Sequence, residues 1–172
     1  ASDAPLRPGW GMAHALVRQD YDGAVLGGGA AGIAAAVGAA RNGARTVLID
    51  AGPMIGGELV SGIPVDGCLS SRGEWVVGGV VRELLDECDR LGGYIGPIFD
   101  YRSLKVVAVD PEIMKVVVMK YVTQHGVHML LYTFADEIVA HEGRVRGVVV
   151  LNKNRRTLVR AKVFIDCSGD GD

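Results

Sequence analysis

At 172 residues the chain suits one domain, or one large piece of a bigger one. Lys and Arg number 18 against 20 Asp and Glu, a net charge of -2, and no basic run exceeds Arg155-Arg156, which argues against a nucleic-acid-binding surface. A hydrophobic share of 49% with 25 glycines excludes disorder and points to a tightly turned α/β chain.

Residues 1–19, "ASDAPLRPGWGMAHALVRQ", read as a leader. It lacks the basic start and apolar stretch of a secretory signal. The domain reads from Asp20 to Asp172. "GAVLG" at 23–27 is a short continuous apolar run, as expected of a strand buried on both faces of a parallel sheet. A helix is predicted from about Ala30 to Asn42, with Gly43 as its stop, and "TVLID" at 46–50 is a second buried strand. Together they form a βαβ unit with the usual right-handed crossover.

From Ala51 to Gly73 the chain is glycine-rich with little periodicity. Val80, Val81, Leu84, Leu85, Cys88 and Leu91 then recur at helical spacing across residues 78–91. "GGYIGPIFDYRS" at 92–103 reads as loop. Asp110-Pro111-Glu112 is a helix start: a capping acid, a proline where no N–H is needed, and an acid in the first turn. That signature turns the strand-like "KVVVMKYV" into a predicted helix over 111–124, ended by Gly126. Strands are then expected at 127–132, in a hairpin across Glu142-Gly143, at "TLVRA" after the polar turn 152–156, and in "KVFIDCSGDGD".

Chemistry concentrates at Gly27-Gly28-Gly29-Ala30-Ala31-Gly32. It matches GxGxxG after a strand and at a helix start, the context that makes the motif a dinucleotide fingerprint. Gly27 permits the tight turn, Gly29 lets a pyrophosphate approach the backbone, and Gly32 lets helix and sheet pack closely. The helix N-terminus offers free N–H groups and a partial positive charge to phosphates. Asp50, followed by Ala51, ends the second strand where a carboxylate accepts hydrogen bonds from a ribose diol. The turn alone leaves NAD and FAD both open.

Three stretches carry a resemblance: "VLGGGAAGIAAAVGAARNGARTVLID", "MIGGELVSG" and "GRVRGVVVLNKNRRTLVRAKVFIDCSGDGD". In these, and in the antiparallel excursion at about 133–161 before the last strand, the chain resembles the N-terminal part of the FAD-dependent oxidoreductase family. These are two-dinucleotide-type flavoproteins with fumarate-reductase-like and thioredoxin-reductase-like relatives. The resemblance implies a Rossmann-like FAD/NAD(P)-binding α/β fold, a parallel sheet with helices and an antiparallel β-meander crossover.

The same resemblance implies roles. Gly56, Gly57, Glu58, Ser61 and Gly62 look like the second loop along the pyrophosphate and ribityl of FAD. Ala135 looks like the position whose backbone meets the adenine edge. Cys167-Ser168-Gly169-Asp170-Gly171-Asp172 resembles the family's A-T-G-D-G-D stretch, with Ser168, Gly169 and Asp170 near the cofactor. Asp50 stands where the family more usually has Glu.

His14, His125, His128 and His141 show no metal spacing, and Cys68, Cys88 and Cys167 form no CxxC pair. No metal site is expected, Cys88 reads as a small core hydrophobe, and the cysteine usage makes a reducing cytosol the default. No run approaches the roughly 18–20 apolar residues of a membrane span. With no His at 56–63, noncovalent FAD is expected.

The implied function is hydride transfer between an unidentified small-molecule substrate and FAD, with no catalytic acid or base assignable. The alternatives are a non-catalytic dinucleotide-binding subunit or fragment needing a partner chain, and an NAD(P)-dependent dehydrogenase. The mean hydropathy of +0.25 is high for this size, consistent with a surface buried by more protein. The chain is accordingly expected to be a fragment of a longer flavoprotein or one subunit of a split enzyme.

Overall fold

A computed structural model describes residues 17–99, 105–153 and 155–171. His14, Asp172 and the leader before Val17 lie outside the described residues, as does the 100–103 part of the expected loop.

The centre is a parallel sheet of four strands: β2 (Gly23–Leu26), β3 (Thr46–Ile49), β6 (His128–Leu130) and β10 (Val163–Asp166), in the order β10-β2-β3-β6. The continuous apolar runs of β2 and β3 follow from layers on both sides. Val25 and Leu48 face helices α1 (Ala30–Arg41), α2 (Gly79–Arg90) and α3 (Pro111–Gln124), packing with Ile33, Val37, Leu84, Met114 and Val118. Their neighbours Ala24, Val47 and Ile49 point the other way, onto Val148, Val150 and Val159. Alternation along a strand thus feeds two cores, and the one polar side chain in β2 and β3, buried Thr46, donates its hydroxyl to Ala44 O at 3.0 Å.

The second layer is the antiparallel excursion. β7 (Phe134–His141) and β8 (Arg144–Leu151) form the expected hairpin, and β9 (Arg156–Arg160) continues it. β1 (Val17–Asp20) adds a fourth strand, parallel to β9, with Val17 opposite Thr157 and Asp20 opposite Arg160. This corrects the leader boundary: Val17 to Gln19 belong to the folded domain. A four-residue stretch holding three polar residues carries no apolar pattern, so only its partner strand reveals it.

A second correction concerns residues 92–103. Tyr94–Phe99 is a strand, β4, paired antiparallel with β5 (Lys105–Val109), a segment to which the sequence pattern assigned nothing. Gly96 and Pro97 made β4 look like a loop. Pro97 is tolerated because it faces Val107, whose N–H and C=O both turn away to Val65, at 3.0 and 2.7 Å. The N–H that proline lacks has no ladder partner to lose.

The ambiguous α3 is a helix for the expected reason. Asp110 Oδ1 accepts from the N–H groups of Glu112 and Ile113, at 2.8 and 3.2 Å, and Pro111 occupies the first turn. Such a cap contributes about 1 kcal/mol. Met114, Val117, Val118, Tyr121 and Val122 are buried, more than a strand of this length could bury on one face. In α2, Leu84, Leu85 and Cys88 are buried, and Cys88 is fully enclosed as a small hydrophobe.

Candidate dinucleotide site

The loops following β2, β3, β6 and β10 meet at the carboxyl end of the parallel sheet, where ligands bind in open α/β folds. Gly27 turns the chain out of β2 with φ +94, a conformation that L side chains rarely adopt. Its N–H donates to Ile49 O at 2.8 Å, and an added Cβ would sit 2.3 Å from Cys167 O. A Cβ on Gly32 would lie 1.8 Å from Gly27 O, so α1 presses directly on the turn.

Gly29 differs. A Cβ there would meet nothing within 4 Å. It is the N-cap of α1, no side chain caps the helix, and Ala30 and Ala31 are exposed. The first-turn N–H groups have no intrahelical acceptor. The turn therefore offers an open backbone surface with outward donors and the positive end of the helix dipole, which suits a pyrophosphate.

Asp50 is tied into this turn. Its Oδ2 accepts from Gly28 N–H at 2.6 Å and its Oδ1 from Gly52 N–H at 2.7 Å. The second loop docks on the same glycine: Gly56 N–H donates to Gly28 O at 2.7 Å, and Ile55 is fully buried beneath Gly28. A Cβ on Gly57 would approach Gly29 Cα to 3.1 Å. Gly57–Val60 forms a single 3-10 turn, where Ser61 Oγ donates to Glu58 O at 2.8 Å and accepts from Ile63 N–H. Gly57, Glu58, Ser61 and Gly62 are exposed. This neighbourhood needs Ile55 and Gly52, which sequence reasoning passed over; neither carries a motif signal.

The other two segments reach the same end. Tyr132 N–H donates to Gly52 O and Thr133 N–H to Asp50 O, at 3.0 and 2.9 Å, which carries the chain past the Asp50 loop to exposed Ala135. Cys167 N–H donates to Leu26 O at 2.7 Å, placing Ser168, Gly169 and Asp170, all exposed, beside the glycine turn. Ser168 closes a small turn: its hydroxyl donates to Asp166 Oδ1 and accepts from Gly171 N–H. The Ser168 hydroxyl and, next, the Ser168 backbone N–H, both donating to Asp166 Oδ1, hold the Asp166 carboxyl below its usual range. Partial burial, with Asp166 beside it, pushes the Cys167 thiol up, so it stays neutral next to the turn.

The structure thus brings the glycine turn, the Asp50-Ala51 corner, the Gly56–Gly62 loop and the Cys167–Gly171 segment together, with Ala135 just beyond. The histidines lie elsewhere. His128 pairs through Nδ1 with the Tyr21 hydroxyl, His125 sits against Tyr121, and His141 is exposed. Among the described residues no group of three His, Cys, Asp or Glu could hold a metal ion, and no helix is long and apolar enough to cross a membrane.

A parallel sheet with a glycine turn, an open helix N-terminus and an acid at the end of the next strand defines a dinucleotide-binding protein. The chain belongs to the FAD dependent oxidoreductase family, whose model matches residues 22–172. FAD is accordingly the dinucleotide, rather than a nicotinamide.

Solved structures repeat the fold. A geranylgeranyl bacteriochlorophyll reductase-like protein from Thermoplasma acidophilum is 22% identical, with a TM-score of 0.62 over 88% of this chain. THI4 of Thermovibrio ammonificans is 21% identical, with a TM-score of 0.60 over 87%. A flavocytochrome c3 fumarate reductase is 17% identical, with a TM-score of 0.61 over 86%. The chain spans 40%, 58% and 33% of those three proteins, respectively.

Proposed function

We propose that this chain is the FAD-binding part of a flavin-dependent oxidoreductase, holding FAD noncovalently while hydride passes between the flavin and a small-molecule substrate. One observation carries the reading: the open face of Gly29 at the uncapped start of α1, with the Gly56 loop hydrogen-bonded onto the same turn. Bound FAD supplies the redox chemistry, and the protein positions it.

On this reading the Gly27–Gly32 backbone, with Ala30 and Ala31, receives the pyrophosphate. Asp50 and Ala51 line the adenosine ribose, and Ala135 the adenine edge. Gly56, Gly57, Glu58, Ser61 and Gly62 follow the pyrophosphate and ribityl, and Ser168, Gly169 and Asp170 flank the cofactor at the end of β10. The Gly56–Ile63 stretch contains no His or Cys to form a covalent flavin link. Three free cysteines, two of them buried, fit a reducing cytosol.

The substrate side is supplied by further polypeptide, either more of the same chain or a partner subunit. The solved proteins in which this fold recurs are roughly one and a half to two and a half times as long, as their coverage implies. In addition, β4 exposes Ile95, Ile98 and Phe99, at 68%, 43% and 65%, an apolar surface that such a segment would cover.

The test is direct. The purified chain is heat-denatured and its supernatant analysed for flavin, then apo-protein is titrated with FAD and with NAD. Release or binding of FAD supports the proposal, and binding of NAD alone would overturn it.

A further inference from the structure

We propose that Tyr132 is the adenine-stacking residue of the site, its ring backed on one face by Lys153. The proposal rests on the FAD reading above and extends it to a side chain that carries no motif signal.

Tyr132 has φ +50, in the left-handed region that costs a bulky aromatic residue free energy; Glu142 is the other described non-glycine residue there. Glu142 lies with Gly143 in the tight hairpin turn between β7 and β8, where that conformation is ordinary. Tyr132 lies in no hairpin. It follows β6, and its N–H donates to Gly52 O, the residue whose own N–H is held by Asp50. The unfavourable backbone is therefore spent at the corner next to the acid that faces the adenosine ribose.

The ring is not buried in return. Tyr132 is 48% exposed, and its strained backbone is not offset by core packing. Lys153, from the turn between β8 and β9, places Nζ 4.5 Å from the ring centroid. A cation over one face fixes the ring's orientation and leaves the other face to a partner. A flat heteroaromatic such as adenine is the chemistry that such a platform takes, and alanine substitutions at comparable base-stacking contacts weaken binding by roughly one to two orders of magnitude.

The Tyr132→Gly substitution provides the test, since it removes the ring and relieves the backbone together. The full chain and its Tyr132→Gly, Tyr132→Ala and Tyr132→Phe variants are titrated with FAD and with ADP, and each apo-protein is melted. Tyr132→Gly is expected to raise the Kd for both ligands roughly tenfold while its Tm equals or exceeds the parent's. Tyr132→Ala weakens both ligands similarly, and Tyr132→Phe, which keeps the ring, binds within about twofold of the parent. A glycine variant that keeps parental affinity for FAD and ADP would overturn the assignment alone. A parent chain that binds neither ligand would overturn the flavin reading and this assignment with it.

Discussion

Asp50 spans the glycine turn and its own loop, accepting from Gly28 N–H at 2.6 Å through one oxygen and from Gly52 N–H at 2.7 Å through the other. The family's usual Glu is longer; the aspartate sits close enough to brace the backbone. It has two structural bonds before any ribose arrives, and each oxygen keeps acceptor capacity for a diol.

Asp50→Ala is therefore expected to act twice. Two backbone donors lose a charged acceptor, so the FAD-free chain should lose about 1–3 kcal/mol of stability. FAD affinity should also fall about tenfold or more. Urea unfolding of the apo-protein and a calorimetric titration separate the two effects. A residue that only contacts ribose would leave the unfolding curve in place, and one that only braces the loop would leave the affinity there.

Gly29 and Gly32 should divide binding from folding. The Gly29 backbone lies in the extended region, and its Cβ position is open. Gly29→Val should thus fold with near-parental Tm yet lose FAD, because its methyl groups occupy the space of the pyrophosphate. At Gly32 a Cβ would overlap Gly27 O, and Gly32→Ala should cost about 1–3 kcal/mol by overpacking. A Gly29→Val chain that folds and binds FAD like the parent removes the turn from the cofactor site.

Acid stability should depend on the exposed network between α1, α2 and α3. Glu83 accepts from Arg41 at 3.0 and 2.5 Å and from the Tyr121 hydroxyl at 2.8 Å. Arg41 first, then Tyr121, lower its pKa to about 2. A carboxyl depressed in the folded state contributes stability that is present above its unfolded value and lost as pH falls through the folded one. The loss should run from about pH 4.5 down to about pH 2. Glu83→Gln should flatten that acid limb in urea titrations, without abolishing it, because Glu87 is lowered in the same direction by Arg90 and Lys120.

The exposed residues of β4 make a prediction of opposite kind. Ile98→Asp and Phe99→Asp should change the stability of the isolated chain by no more than about 0.5 kcal/mol, since these side chains support no core. They should reduce self-association in size-exclusion runs. The same isolated chain, saturated with FAD, should show negligible turnover with an artificial electron acceptor. Sustained substrate reduction by the 172 residues alone would contradict a separate substrate side.

The residues by themselves determined the parts of this protein that depend on local chemistry. The GxGxxG turn between "GAVLG" and an alanine-rich helix, the acid at the end of "TVLID", and the Asp110-Pro111 cap each express a short-range requirement: free backbone approach, a terminal carboxylate, a satisfied first helical turn. What needed the tertiary structure was pairing across distance. β1 exists because β9 lies beside it, and β4 tolerates Pro97 because Val107 bonds Val65 instead. The hydrogen bond from Gly28 N–H to Asp50 and the exposed, left-handed Tyr132 under Lys153 also arise only when loops from different strands close on one another. Such contacts join residues 22 or 21 positions apart with no periodic signal between them, so they are written in the fold's geometry rather than in any stretch of its sequence.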